Sequence, residues 1–139
     1  MTDPLHVNDP RIVAEVRHEF ERYETALVGN DVDALVDFFH DAPEVVRYGI
    51  DDAQHGHEEL AAFRRTQASA TMPRRLVDTV ITTYGDDVAV ANTQFVPDGQ
   101  PDGVAAVGRQ SQTWLRTDAG WKVVSAHVSW MGGRAPDAG

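Results

Sequence analysis

The sequence predicts an α+β fold in which three N-terminal helices wrap a cone-shaped, curved antiparallel sheet. Three observations predict it. Apolar residues recur at helical spacing as far as Gln67, and from Leu76 onward the apolar runs become β-rich. That second half is broken by two turn signals, Gly85-Asp86-Asp87 and Thr117-Asp118-Ala119-Gly120. Helices first and a run of antiparallel strands afterwards is the order of an α+β domain.

Asp9-Pro10 reads as an N-cap with proline in the first turn. Ile12, Val13, Val16, Phe20, Tyr23 and Leu27 then form the stripe of an amphipathic helix, which Gly29 is expected to stop. Asn30 or Asp31 caps a short second helix with Leu35, Val36 and Phe39 inward, and Asp41-Ala42-Pro43 ends it. Glu44 to Ile50 reads as a strand and Asp51 to Gly56 as a polar connection. A third helix follows from His57 to Gln67 with Leu60 and Phe63 inward, then a loop to Arg75. Four strands complete the chain: Leu76–Tyr84, Val88–Val96, Val104–Arg116 and Trp121–Trp130. With 139 residues and no linker or repeat, the chain forms a single domain, 1–139, with a loose N-terminus (1–8) and a loose tail (132–139).

Composition excludes several functions. There is no cysteine, so disulfides, thiolate metal sites and a cysteine nucleophile are ruled out. The net charge of −10 argues against sequence-independent nucleic-acid binding. No apolar run approaches the roughly 18 residues of a membrane span, and no signal peptide opens the chain, so the cytoplasm is the expected location. Phosphate-cradling glycine loops, dinucleotide fingerprints and nucleophile-elbow serines are absent. His55-Gly56-His57-Glu58 has no established metal spacing, and neither a metal nor a cofactor is expected. Lys122 is the only lysine; GC-rich coding and a salt-adapted surface would each give that.

The final hairpin sets the expected register. Arg116 opposite Trp121 places Trp114 opposite Val123, Gln112 opposite Ser125 and Gln110 opposite His127. One face then carries Gln110, Gln112, Trp114, Ser125, His127 and Ser129, and the other Leu115, Val124, Ala126 and Val128. Two arrangements fit: a solvated polar face over an aliphatic core, or a polar-lined cavity under the helices with the aliphatic face buried in a homodimer. Tyr23 lies on the apolar stripe of the first helix, as a packed core residue or a cavity group whose hydroxyl needs a partner. Arg47 sits in an apolar strand opposite in parity to Tyr48, so it is edge-exposed, ion-paired or aimed at an anion. Arg64, one turn after Leu60, and Arg109, entering a long strand, are surface or ion-pair residues by the same reasoning and further candidates for an anion.

The segments Glu21-Arg22-Tyr23-Glu24-Thr25-Ala26-Leu27, Val45-Val46-Arg47-Tyr48-Gly49, Gly108-Arg109-Gln110-Ser111-Gln112-Thr113-Trp114 and Gly120-Trp121-Lys122-Val123-Val124-Ser125-Ala126-His127-Val128-Ser129 carry a resemblance. Together with Arg75 to Gly85, they resemble the AtzH-like, HpxZ-type branch of the SnoaL-like superfamily, whose fold is shared with nuclear transport factor 2. The resemblance runs from about Asp9 to Met131 and implies a cone-shaped α+β barrel, dimeric through the outer sheet face. It also implies a decarboxylating amidohydrolase acting on an N-carboxylated or N-acylated urea, in oxalurate or cyanuric-acid-like nitrogen catabolism.

The tyrosine and arginine of that branch match Tyr23 and Arg47. By register, His127 is the expected general base. Tyr48, Arg64, Arg109, Gln110, Gln112 and Trp114 are the expected contacts to a small carboxylate substrate. The alternative is a non-catalytic anion-binding protein or the accessory partner of an amidase.

Overall fold

The side chain of Asp9 accepts a hydrogen bond from the Arg11 amide and opens α1 (Pro10–Gly29), with Pro10 in the first turn. The computed structural model describes residues 5–66, 73–99 and 106–131. The expected tail, most of the two loops around Pro73 and Gly99, and the first residues of the strand expected from Val104 lie outside them. Ile12, Val16, Phe20, Tyr23 and Leu27 are buried, as the helical spacing requires. The helix runs through Gly29 and stops at Asn30, which takes the left-handed conformation (φ 50°) one residue later than expected. Asparagine tolerates that region better than most residues. Asp31 then caps α2 (Val32–Asp37) by accepting from the Ala34 amide.

Strands β1 (Val46–Tyr48) and β2 (Ala53–His55) form a short hairpin, and α3 (His57–Thr66) follows at once. The polar connection expected at Asp51–Gly56 therefore contains a strand. Four long strands follow: β3 (Arg74–Tyr84), β4 (Val88–Pro97), β5 (Gly108–Thr117) and β6 (Gly120–Trp130). They and the hairpin make one curved, unclosed sheet of order β2-β1-β6-β5-β4-β3. Its pairings are antiparallel except for β1 against β6, which is parallel. The chain reaches β6 twice: Val123 exchanges backbone bonds with Phe38 and His40 where α2 ends, and β1 continues along the same strand.

The hairpin of β5 and β6 begins in the expected register, Arg116 against Trp121 and Trp114 against Val123. A β-bulge then intervenes. Thr113 pairs with Ser125, leaving Val124 as an extra residue, so Gln112 opposes Ala126 and Gln110 opposes Val128. One inserted residue exchanges the two faces for everything beyond it. Ala126, Val128 and Trp130 turn inward, and Ser125, His127 and Ser129 turn outward, the reverse of the expected assignment. A second bulge in β3, between Val77 and Val80, holds Asp78 at φ 53°.

The core lies between α1, α2 and the inner sheet face. Trp114, Phe39, Leu35, Leu60, Val16 and Val123 are among its most deeply buried side chains. The Tyr23 ring meets Phe38, Phe39 and Trp114 edge-on, at centroid distances of 5.6, 6.2 and 6.3 Å. Part of the expected loose N-terminus is tied down. Val7 bridges Tyr84, and Asn8 exchanges hydrogen bonds with Thr83 through its amide and its side chain.

Gly108 is buried against the flat of the Phe95 ring, and a methyl group there would collide with that ring. Gly108→Ala should therefore destabilise the fold by about 1–3 kcal/mol through overpacking. Urea unfolding of the two proteins would show it as a lower midpoint.

Candidate functional site

A cavity of about 390 Å³ opens between α1, α3 and the inner face of the sheet. Tyr23 and Leu27 enter it from α1, because they lie on the buried stripe near the C-terminal end of that helix. Phe63 and Arg64 come from α3, Arg47 from β1, and Asp51 and Asp52 from the turn between β1 and β2. The inner face supplies Arg74, Phe95, Gln110, Gln112, Ala126, Val128 and Trp130.

Three arginines surround this space, and they differ in how their charge is met. Arg47 Nη1 donates to Asp52 Oδ1 at 2.7 Å and to Gln54 Oε1 at 2.9 Å, and Gln54 Nε2 closes the triangle on Asp52 Oδ1 at 2.8 Å. The Asp52 carboxylate lies directly across Gly49, where any Cβ would strike it. Arg74 grips Glu24 in a fork, Nε to Oε2 at 2.8 Å and Nη2 to Oε1 at 2.7 Å. Its guanidinium also donates to Gln110 Oε1 at 3.0 Å and lies 4.3 Å above the Phe95 ring.

Among the described residues Arg64 has no carboxylate partner. It is 5% exposed, its Nη2 donates to the Tyr23 hydroxyl oxygen at 3.3 Å, and its Nε is buried without a partner. Burial holds its pKa below the usual arginine value. The Arg47 charge adds to that effect, while Tyr23 and Asp52 oppose it. An arginine stays protonated under such conditions, so the cavity wall carries a desolvated cation with no counter-ion among the described residues.

Of the residues expected at the site, Tyr23, Arg47, Arg64, Gln110 and Gln112 meet in this cavity. Trp114 lies beneath it, fully buried, with Nε1 donating to Gln112 Oε1 at 3.1 Å. It supports the wall without lining it. Tyr48, Arg109 and His127 are corrected. Strand alternation puts Tyr48 and Arg109 on the outer face, and the β6 bulge puts His127 there. His127 is exposed, and its ring meets Tyr48 edge-on at 5.7 Å, so it cannot reach the cavity as a base.

The expectation missed Arg74, Asp52, Gln54 and Trp130. A signal for Trp130 was present: Ala126, Val128 and Trp130 alternate out of phase with Trp121 and Val123, as a bulge between them demands. Among the described residues no group of three His, Asp or Glu side chains is placed to hold a metal ion, and no helix is long and apolar enough to cross a membrane.

The AtzH-like family profile matches residues 5–134. The chain is 46% identical to a protein of unknown function from Pectobacterium atrosepticum, with a TM-score of 0.83 over 90% of this chain and 94% of that one. It is 45% identical to a cystatin-like fold protein from Burkholderia xenovorans, with a TM-score of 0.83 over 91% and 97% of the two chains. A protein of unknown function from Pseudomonas putida, similar to nuclear transport factor 2, shares the fold at 20% identity, with a TM-score of 0.71 over 87% of each chain. A search of curated proteins returns no match.

The Arg74–Glu24 pair is largely shielded from solvent, its side chains 4% and 16% exposed. Glu24→Ala would strand the guanidinium beside the cavity, and a loss of about 3–5 kcal/mol in unfolding free energy is expected. Glu24→Gln, which keeps one acceptor, should recover part of that loss in the same denaturation experiment.

Proposed function

Because the chain belongs to the AtzH-like family, we propose that it is a hydrolase that cleaves a C–N bond of a small N-carboxylated or N-acylated urea, as in the breakdown of oxalurate or s-triazine-derived ureas. The observation that carries this reading is Arg64: a buried guanidinium with an unpaired Nε, next to a hydroxyl and a carboxylate. A substrate carboxylate completes Arg64, a charge-assisted contact of about 1.5–3 kcal/mol.

Tyr23 is then placed to act on the reacting carbonyl. Its oxygen accepts from Arg64, which leaves its own proton free to donate to the substrate oxygen where negative charge develops. Asp52 is the cavity-wall carboxylate that neighbouring side chains hold in place. Its Oδ1 is fixed by Arg47 and Gln54, and its Oδ2 is left to take a proton from an attacking water. The water oxygen bonds to the carbonyl carbon, its proton passes to Asp52, the C–N bond breaks, and Asp52 returns the proton to the departing nitrogen. Where that nitrogen carries an N-carboxylate, the released group is a carbamate. It loses carbon dioxide on taking up one further proton, the one given up by the carboxylic acid formed in the cleavage. Arg47 positions Asp52 and adds positive potential beside Arg64.

We also infer that two copies associate through the outer sheet face. Val90, Leu115 and Val124 are half-buried there and Val80 is 55% exposed, an apolar surface that no described helix covers. Val90→Glu should give a monomer by sedimentation if that face is the interface.

Turnover is checked with oxalurate and carboxyureas followed by mass spectrometry. Tyr23→Phe should lower kcat by about 10²–10³. Asp52→Asn should lower it by about 10²–10⁴ while KM changes little. Arg64→Gln should chiefly raise KM. A wild-type protein that is thermally stabilised by these anions yet converts none of them would establish a binding protein instead.

A further inference from the structure

Four buried side-chain polar atoms among the described residues have no partner: Arg64 Nε, Gln110 Nε2, Trp130 Nε1 and Thr83 Oγ1. The first three belong to residues that line the cavity, and all three are N–H donors. Buried donors of this kind are nearly always satisfied, so their clustering marks where a ligand presents acceptors.

They come from three different elements, α3, β5 and the end of β6. Arg47 pairs with Ala126, which fixes the end of the cavity where Arg47, Arg64 and Tyr23 act. Gln110 stands opposite Val128, and Trp130 lies two residues beyond Val128. Ala126 and Trp130 are thus separated by roughly 13 Å at the rise of a β-strand. The wall between and around them is apolar, formed by Leu27, Phe95, Pro97 and Val128. At about 30 Å³ per water the cavity has room for at least about 13 non-hydrogen atoms, since bonded atoms take less space than separate waters, against about nine in oxalurate.

We infer that the substrate carries an apolar arm on the urea nitrogen distant from its carboxylate, about three or four atoms long and with a hydrogen-bond acceptor near its end. This rests on the reading of the cavity as the substrate site, with the carboxylate on Arg64. The arm lies along Val128 against Phe95, and its oxygen accepts from Gln110 Nε2 and Trp130 Nε1. An unsubstituted carboxyurea leaves both of those donors unmet and the apolar wall uncovered.

The test is calorimetric titration of the whole chain with oxalurate and its distal N-alkyl derivatives, methyl through butyl, together with a 2-methoxyethyl derivative isosteric with butyl. Affinity should rise about two- to fourfold per methylene as far as propyl or butyl. The methoxyethyl derivative should bind about fivefold more tightly than butyl. In Trp130→Phe, which keeps the ring against Phe95, that advantage should shrink while oxalurate itself binds as in wild type.

If oxalurate binds most tightly and every added methylene weakens binding, the apolar arm is refuted and the proposed hydrolysis of small ureas stands. Rising affinity along the series with no compound converted supports the arm and refutes the hydrolase. Absence of binding by all of them overturns both.

Discussion

The bulge at Val124 is the constraint on which the rest of this structure depends. Trp121 and Val123 must face inward to pack under the helices, and Ala126, Val128 and Trp130 must face inward to wall the cavity. A regular strand cannot satisfy both, because residues 123 and 126 have opposite parity. One extra residue reconciles them, so a single strand closes the core at one end and lines an open space at the other. The same residue assigns Ser125, His127 and Ser129 to the outer surface.

Within that space the charges are arranged unequally. Two arginines are neutralised by carboxylates of the chain itself, Asp52 and Glu24, and hold those carboxylates in place. Among the described residues Arg64 is met only by a phenol. A buried cation without a counter-ion weakens the free protein, and that weakness becomes binding free energy when an anion arrives. Helix α3 contributes it by delivering Arg64 one turn after the fully buried Leu60, so the packing of Leu60 determines where the guanidinium stands.

Much of this was legible from the residues. The helical stripe of α1 follows from its spacing, and Tyr23 belongs to that stripe. The opening register of the last hairpin follows from its turn. The parity of Arg47 against Tyr48 correctly separates an inward arginine from an outward tyrosine. What failed has one physical origin: strand reasoning carries parity forward until a residue is inserted, and bulges have weak local signals. His127 was misplaced for that reason. Ala53–His55 was overlooked because three residues are too few to show alternation, and with that strand went the partners of Arg47. Arg74 read as loop because Pro73 precedes it. Whether a cation is paired is a tertiary property, and Arg64 and Arg74 look alike until Glu24 is seen beside one of them.

The short stitch at Val7 and Asn8 matters beyond the first helix. Strand β3 ends the sheet, and such an edge offers unpaired amides and carbonyls to any passing strand. Asn8 occupies the amide and carbonyl of Thr83, and Gly85 donates to the His6 carbonyl. The chain thereby blocks part of its own polymerisation surface with a segment that is itself continuous with α1. Trimming that segment to tidy the terminus for crystallisation would remove a chain stopper, leaving the exposed side chains of Val80 and Tyr84 on an open edge where self-association begins.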